Sequence, residues 1–341
     1  MARTMMAAVF EKPGKLAVRE WPVPVIKKSD DVLVRMESGA ICGSDTRALM
    51  DPPEFIYKEN IVLGHKSAGK VAEVGRDVTD LKPGDRVVVH PNLWCGKCHS
   101  CRTGHINLCT NVVHLGNMID GTLAEYAVVP ERLLYKVSSD LPAEVAALAE
   151  PLACVLNATR IARPHPGETA LVLGAGPIGL IFAAIYKASG ARKVFASEVS
   201  PLRAKKAKEM GVDVVIDPSK ENLSEVIMKE TGGIGVDVVA DAVGLLLPDG
   251  IRAAKKGATI VCFGLNEARP IEFMQAQLTF KELKVSGAYI ANGTFPLAVT
   301  MLENHTLPLE KLITHHFPLR DTQKGFDAMY SGVGMKVIIE C

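Results

Sequence analysis

The 341-residue sequence predicts an α/β protein: a doubly wound parallel sheet in its middle, preceded by an all-β unit. Three observations carry this. From about Glu150 to Gly287, short apolar β-branched runs alternate with helical runs, the pattern of a parallel sheet with crossover helices. A Gly174-x-Gly176-x-x-Gly179 run stands where the first of those strands meets its helix. Residues 1–140 instead read as short strands punctuated by Gly and Pro, and a chain of this length favours two domains.

In the N-terminal unit, DVLVRMESGAI, GKVAEVG, KPGDRVVV and AEYAVVP are the strand candidates. Farther on, TALVLGAG, KVFASE, VDVVID, VDVVADAVG and ATIVCFG read as buried strands, with PIGLIFAAIYKASG and SPLRAKKAKEMG as helices between the first of them. After Gly287, FPLAVTMLENHTL reads as a helix and GMKVIIEC as a late strand.

Composition excludes several classes of function. Lys plus Arg total 39 against 38 Asp plus Glu, so a formal charge of +1 gives no general attraction to nucleic acid or anionic membrane. The uncharged stretches 169–186 and 285–302 are broken by Gly174, Gly176, Pro177 and Gly179 and by Asn292, Gly293 and Pro296, so neither reads as a membrane span. The N-terminus has no sustained apolar run and meets Glu11 and Lys12 early, which predicts no secretory leader and a cytoplasmic protein.

Cys95, Cys98, Cys101 and Cys109 lie within CGKCHSCRTGHINLC. That spacing lets one loop wrap a tetrahedral ion, and a closed four-thiolate site suits a structural zinc. An iron–sulfur cluster is the rival, but its fourth cysteine follows three residues later and precedes proline, whereas Cys109 comes later and precedes Thr110.

The glycine run has the context a dinucleotide needs. Gly174 permits the tight turn, Gly176 lets backbone approach a pyrophosphate, and Gly179 allows close packing of helix on strand. Pro177 opens the helix whose N-terminus would face the phosphates. Glu198 ends the next strand, where an acid binds ribose hydroxyls and repels a 2′-phosphate, so NAD is expected over NADP. Arg203, with Lys205 and Lys206 behind it, belongs to the same adenosine-side cluster and tempers that preference. Cys42, His65 and Glu150 are candidates for a second metal. Each alone reads more readily as a buried thiol, a core histidine or a helix-start carboxylate, but three mixed ligands with an open position make a catalytic zinc pattern.

Along essentially its whole length, through GAICGSD, LGHKSAGKV, KPGDRVVV, the cysteine lobe, DGTLAEYAVVP, AEPLA and LGAGPIGL, the sequence resembles the zinc-dependent medium-chain alcohol dehydrogenases. Glu150-Pro151, where liver-type enzymes carry cysteine, is similar to the sorbitol (L-iditol) and L-threonine dehydrogenase branch. The resemblance implies a GroES-like domain over residues 1–151, completed by 289–341, and a Rossmann domain over 152–288. It implies NAD, one structural and one catalytic Zn2+, a small-molecule alcohol substrate and a homo-oligomer, dimer or tetramer. Ile178, Gly264, Leu265 and Ile290 would contact the nicotinamide side, Ser44 would begin proton release, and Asp45 would orient His65. The implied reaction is hydride transfer between NAD and a secondary alcohol within a polyol, sugar or cyclitol. L-Threonine or a simple secondary alcohol is the alternative substrate, and a non-catalytic dinucleotide-binding protein is the alternative of another class.

Four positions depart from that pattern. Lys66 stands where the family usually carries glutamate; it is expected to point away or to pair with a carboxylate, leaving Glu150 as third ligand, the alternative being a weak or absent catalytic zinc. Arg47 replaces the relay histidine, Ala48 the sorbitol-type tyrosine and Ile290 an arginine, so sorbitol itself is not the expected substrate.

Overall fold

A computed structural model describes residues 3–267 and 269–341. The chain forms two compact units: Met1–Ala153 with Ala291–His305 and Ile313–Cys341, and Cys154–Ile290 with Thr306–Leu312.

The first unit is built on β-branched strands. Its larger sheet runs in the order Leu134–Val137, Arg86–Val89, Ser67–Val74, Asp31–Ala40, Lys336–Glu340, Ile313–Pro318, with Tyr126–Pro130 also on Asp31–Ala40. The C-terminal strand thus enters a sheet begun by the N-terminal third, antiparallel to it, with Ile338 opposite Ala40. A smaller sheet joins Lys15–Pro22, Thr4–Lys12 and Ile61–Val62. Buried Phe10, Ile41, Leu63, Leu123, Phe326, Val337 and Ile339 form a core under the short helix Gly43–Ala48.

The second unit carries six strands, all parallel, in the order Val214–Ile216, Lys193–Ser197, Thr169–Leu173, Val236–Asp241, Ala254–Cys262, Lys284–Gly287. This is the dinucleotide-binding order, with the reversal beside the first strand. Thr169–Leu173 is buried throughout, as a central parallel strand covered on both faces must be. The following helix, Pro177–Ala188, starts with proline at its first turn and buries eight consecutive residues from Gly179 to Tyr186. Among the described residues, no helix is long and apolar enough to cross a membrane.

Candidate active site

Two short segments of the first unit bring the candidate ligands together. Cys42 caps the helix Gly43–Ala48, and its N–H donates to Asp45 Oδ2 at 3.0 Å, which fixes the first turn. His65 follows Gly64, whose φ of +99° and tight contact with Leu123 exclude a side chain. The Ala40 N–H donates to the Lys66 carbonyl at 2.8 Å, tying the two segments at their bases.

Cys42 and His65 are hydrogen-bonded through their side chains. Burial works against ionising the Cys42 thiol, but the Lys66 and His65 charges outweigh it and hold the thiol well below its ordinary range. The other side of the imidazole faces Asp45, Nδ1 to Oδ1 at 3.4 Å, so the carboxylate orients the ring. Asp45 is fully buried, and desolvation leads the influences that raise its pKa.

Nothing in the sequence marks Tyr57. Its buried hydroxyl lies 3.0 Å from both Ser44 Oγ and Asp45 Oδ1. Burial first, then the Asp45 charge, pushes this phenol well above its usual range, so it keeps its proton. With one O–H to give and a carboxylate that only accepts, Tyr57 donates to Asp45 and accepts from Ser44. Ser44, Tyr57 and Asp45 are therefore hydrogen-bonded in a file, with His65 facing the Asp45 carboxylate at its end.

Glu150, near the start of the helix Ala149–Thr159, does not stand open as a third ligand. Lys66 pairs with a carboxylate as expected, but that carboxylate is Glu150 itself: Nζ–Oε2 is 2.7 Å, with side chains 6% and 9% exposed. A second buried cation, Lys336, feels the same group of charges, and burial together with the Lys66 charge depresses its pKa to about 8. Arg47 lies over the Phe55 ring, 4.1 Å from its centroid, with Glu54 Oε2 3.7 Å from its Nε.

The lobe cysteines converge fully. Among the described residues, Cys95, Cys98, Cys101 and Cys109 are the one group of three or more His, Cys, Asp or Glu donors with ligand atoms all within 4.8 Å. Backbone N–H groups already point at the sulfurs, Cys95 N to Cys109 Sγ at 3.3 Å and Cys98 N to Cys95 Sγ at 3.4 Å. Donors from the Cys101 and Thr110 backbone bring the Cys98 thiol down to about 6, ready for a cation. This donor set fits zinc.

In the second unit, the glycine loop fits a dinucleotide. Gly174 has a φ of +87°, and a side chain at Gly179 would strike the Gly174 carbonyl. A Cβ at Gly176 meets nothing within 4 Å, so backbone there faces the open space a pyrophosphate needs. Glu198 is buried at the end of Lys193–Ser197, its two oxygens accepting from Ala175 N and Ser200 N, each at 2.9 Å. These bonds tie the acid to the glycine loop. Arg203 sits in the first turn of the following helix, its N–H directed at Ser200 Oγ.

Ile178 lies in the helix behind the glycine loop, and Gly264 and Leu265 follow the fifth strand. Gly264 packs against the Val243–Gly244 backbone with no room for a side chain. Ile290 has a φ of +37°, the one β-branched residue in the left-handed region among those described. Asn157 Nδ2 holds it there through the Ile290 carbonyl at 2.8 Å, and strain of this kind collects at functional sites.

Known proteins carry the same architecture. The alcohol dehydrogenase GroES-like domain matches residues 28–139, and the zinc-binding dehydrogenase domain matches residues 177–304. The chain is 33% identical over 344 residues to D-xylulose reductase A of Aspergillus oryzae, covering 98% of this chain and 96% of that one. The chain belongs to the zinc-containing medium-chain dehydrogenases, in their polyol dehydrogenase branch. Sorbitol dehydrogenase of Pongo abelii is also 33% identical over 344 residues, with the same coverage. A protein of Sinorhizobium meliloti 1021, assigned as a zinc-binding dehydrogenase and solved bound to NADP, superposes with a TM-score of 0.93 at 30% identity. That match covers 99% of this chain and all of the other. As a member of this family the protein has the GroES-like and Rossmann parts that its two units display.

Proposed function

We propose that this medium-chain dehydrogenase moves hydride between NAD and a secondary alcohol within a polyol, sugar or cyclitol. The observation that carries the reading is the Cys42–His65 contact backed by Asp45, a metal-ligand pair with its orienting carboxylate in place. The polyol-active relatives support the substrate class. Glu198 favours NAD, although the S. meliloti relative was solved with NADP. In this reading the protein is cytoplasmic and acts as a dimer or tetramer, with one zinc in the lobe.

The Cys42, His65 and Glu150 donors match zinc chemistry, with Lys66 occupying the carboxylate in this structure. Zinc bound there would supply the positive charge that makes an alcohol ionisable near neutral pH. The chain's own residues receive the proton. Ser44 donates its hydroxyl hydrogen toward Tyr57, so its oxygen is left with lone pairs for a substrate hydroxyl. Tyr57 links Ser44 to Asp45, and Asp45 holds the imidazole in register.

The test is a panel of polyols, sugars and amino alcohols with NAD and NADP, before and after chelation. Polyol-dependent reduction of NAD, lost with the metal, is expected. NAD binding without any alcohol-dependent reduction at saturating zinc would select the non-catalytic reading, which the Lys66–Glu150 pair favours.

Two substitutions probe the parts separately. Tyr57→Phe is expected to lower kcat about 10- to 100-fold and to shift the pH profile of kcat, because Asp45 and Ser44 lose their shared partner. An unchanged profile would remove Tyr57 from the file. Glu198→Gln is expected to raise KM for NAD about tenfold, the loss of one charge-assisted bond, and to narrow the gap to NADP. Equal KM values for both cofactors in the unmodified protein would refute the role given to Glu198.

A further inference from the structure

We infer that Lys66 is an internal competitor for the second metal: its ammonium holds Glu150, so an ion at Cys42 and His65 binds weakly and exchangeably. The inference rests on the proposed metal role of Cys42, His65 and Glu150.

Three observations carry it. Lys66 Nζ lies 2.7 Å from Glu150 Oε2, with both side chains almost wholly buried. Opening such a pair takes an opposite charge away from a buried ammonium, so the carboxylate is not released without cost. Among the described residues, only the lobe cysteines bring three or more donors within 4.8 Å, and Glu150 does not converge in this way with Cys42 and His65. Finally, the competitor is held near the ligands. Lys66 adjoins His65 in the chain, its carbonyl accepts from the Ala40 N–H at 2.8 Å, and its side chain is buried beside them, where its charge acts on Cys42. A divalent cation arriving at Cys42 and His65 meets that positive charge in a buried pocket, where like charges repel strongly.

Metal binding and Glu150 release are therefore one equilibrium. Zinc gains its third ligand only when Lys66 gives up its partner, and Lys66 sets the free zinc concentration at which the site fills. The four-cysteine lobe brings its donors together without such a rearrangement.

The experiment counts metal without any substrate. The full-length protein, loaded with zinc, is dialysed against graded chelator, and zinc per chain is measured beside the thermal melt. One zinc per chain is expected to remain over a chelator range that removes the other. Lys66→Met is expected to raise retention of the second zinc about 10- to 100-fold, and Lys66→Arg to leave it weak. Equal retention of two zincs in the unmodified protein overturns the inference, as does a second zinc unchanged by Lys66→Met in a variant that keeps its lobe zinc and its melt. Failure of the functional reading shows separately, as absence of alcohol-dependent NAD reduction at saturating zinc.

Discussion

Cys109→Ser is expected to remove one zinc per chain and to leave the lobe open to proteolysis, the largest single effect foreseen on stability. Cys109 is the buried member of the four, and its sulfur accepts from the N–H groups of Cys95 and Asn111. The lobe has little apolar core of its own. Its regular structure amounts to the strands Asn92–Leu93 and Val113–His114, the four-residue helix His99–Arg102 and one 3-10 turn. Such a segment depends on its ion. Structural zinc contributes about 10–16 kcal/mol in isolated zinc-finger peptides, comparable with the roughly 5–15 kcal/mol net stability of a whole domain. Zinc analysis and limited proteolysis check the prediction, and an unchanged zinc count in Cys109→Ser would show that the other three thiols suffice.

The second large effect is on acid stability. His90 is buried, stacked 4.3 Å from Phe295 and tilted against Trp94 at 5.4 Å, and its Nδ1 accepts from the Asn92 N–H at 3.2 Å. That acceptor role fixes the neutral tautomer, and burial depresses the imidazole pKa to about 4. The folded pKa lies below the unfolded value near 6.5, so between the two the unfolded chain binds more protons. Stability is therefore fully present above about pH 6.5 and is lost progressively as the pH falls toward 4. A difference of about 2.5 pKa units corresponds to about 3 kcal/mol. His90→Gln retains an acceptor for Asn92 without titrating, and it is expected to lose less stability than the unmodified protein over that interval. Urea unfolding of both proteins at a series of pH values measures the difference, and parallel curves would disprove it.

Much of this architecture was legible because local signals and global packing agree. The alternation after Glu150 is a consequence of crossover connections, and the glycine run at 174–179 reflects contacts too close for any side chain. GMKVIIEC was readable as a strand, but not its neighbour on the sheet, since register against Ser38–Ala40 is a long-range property. The same limit applies at the site. Lys66 looked anomalous in the sequence, yet its partner lies 84 positions away and is chosen by the fold. Tyr57 lies outside any regular element, where no periodicity marks it. The Ile290 backbone strain is likewise silent in the sequence, because isoleucine normally signals an extended strand.

The Lys336–Glu340 strand sits between Asp31–Ala40 and Ile313–Pro318, five residues long and within six of the C-terminus. On the ribosome, then, the first unit stays unfinished until this strand, which follows the whole second unit in the chain, has been made. Only the Ser38–Ala40 end of Asp31–Ala40, beyond the stretch that pairs with Tyr126–Pro130, waits for it, and that end stays unpaired on that side throughout synthesis of the second unit. Completion of the larger sheet, and the charge that Lys336 adds to the surroundings of Lys66 and Glu150, come only once that strand has been made. The charges around Cys42 and His65 are thus assembled late, by a strand that Ser38–Ala40 has been waiting to pair.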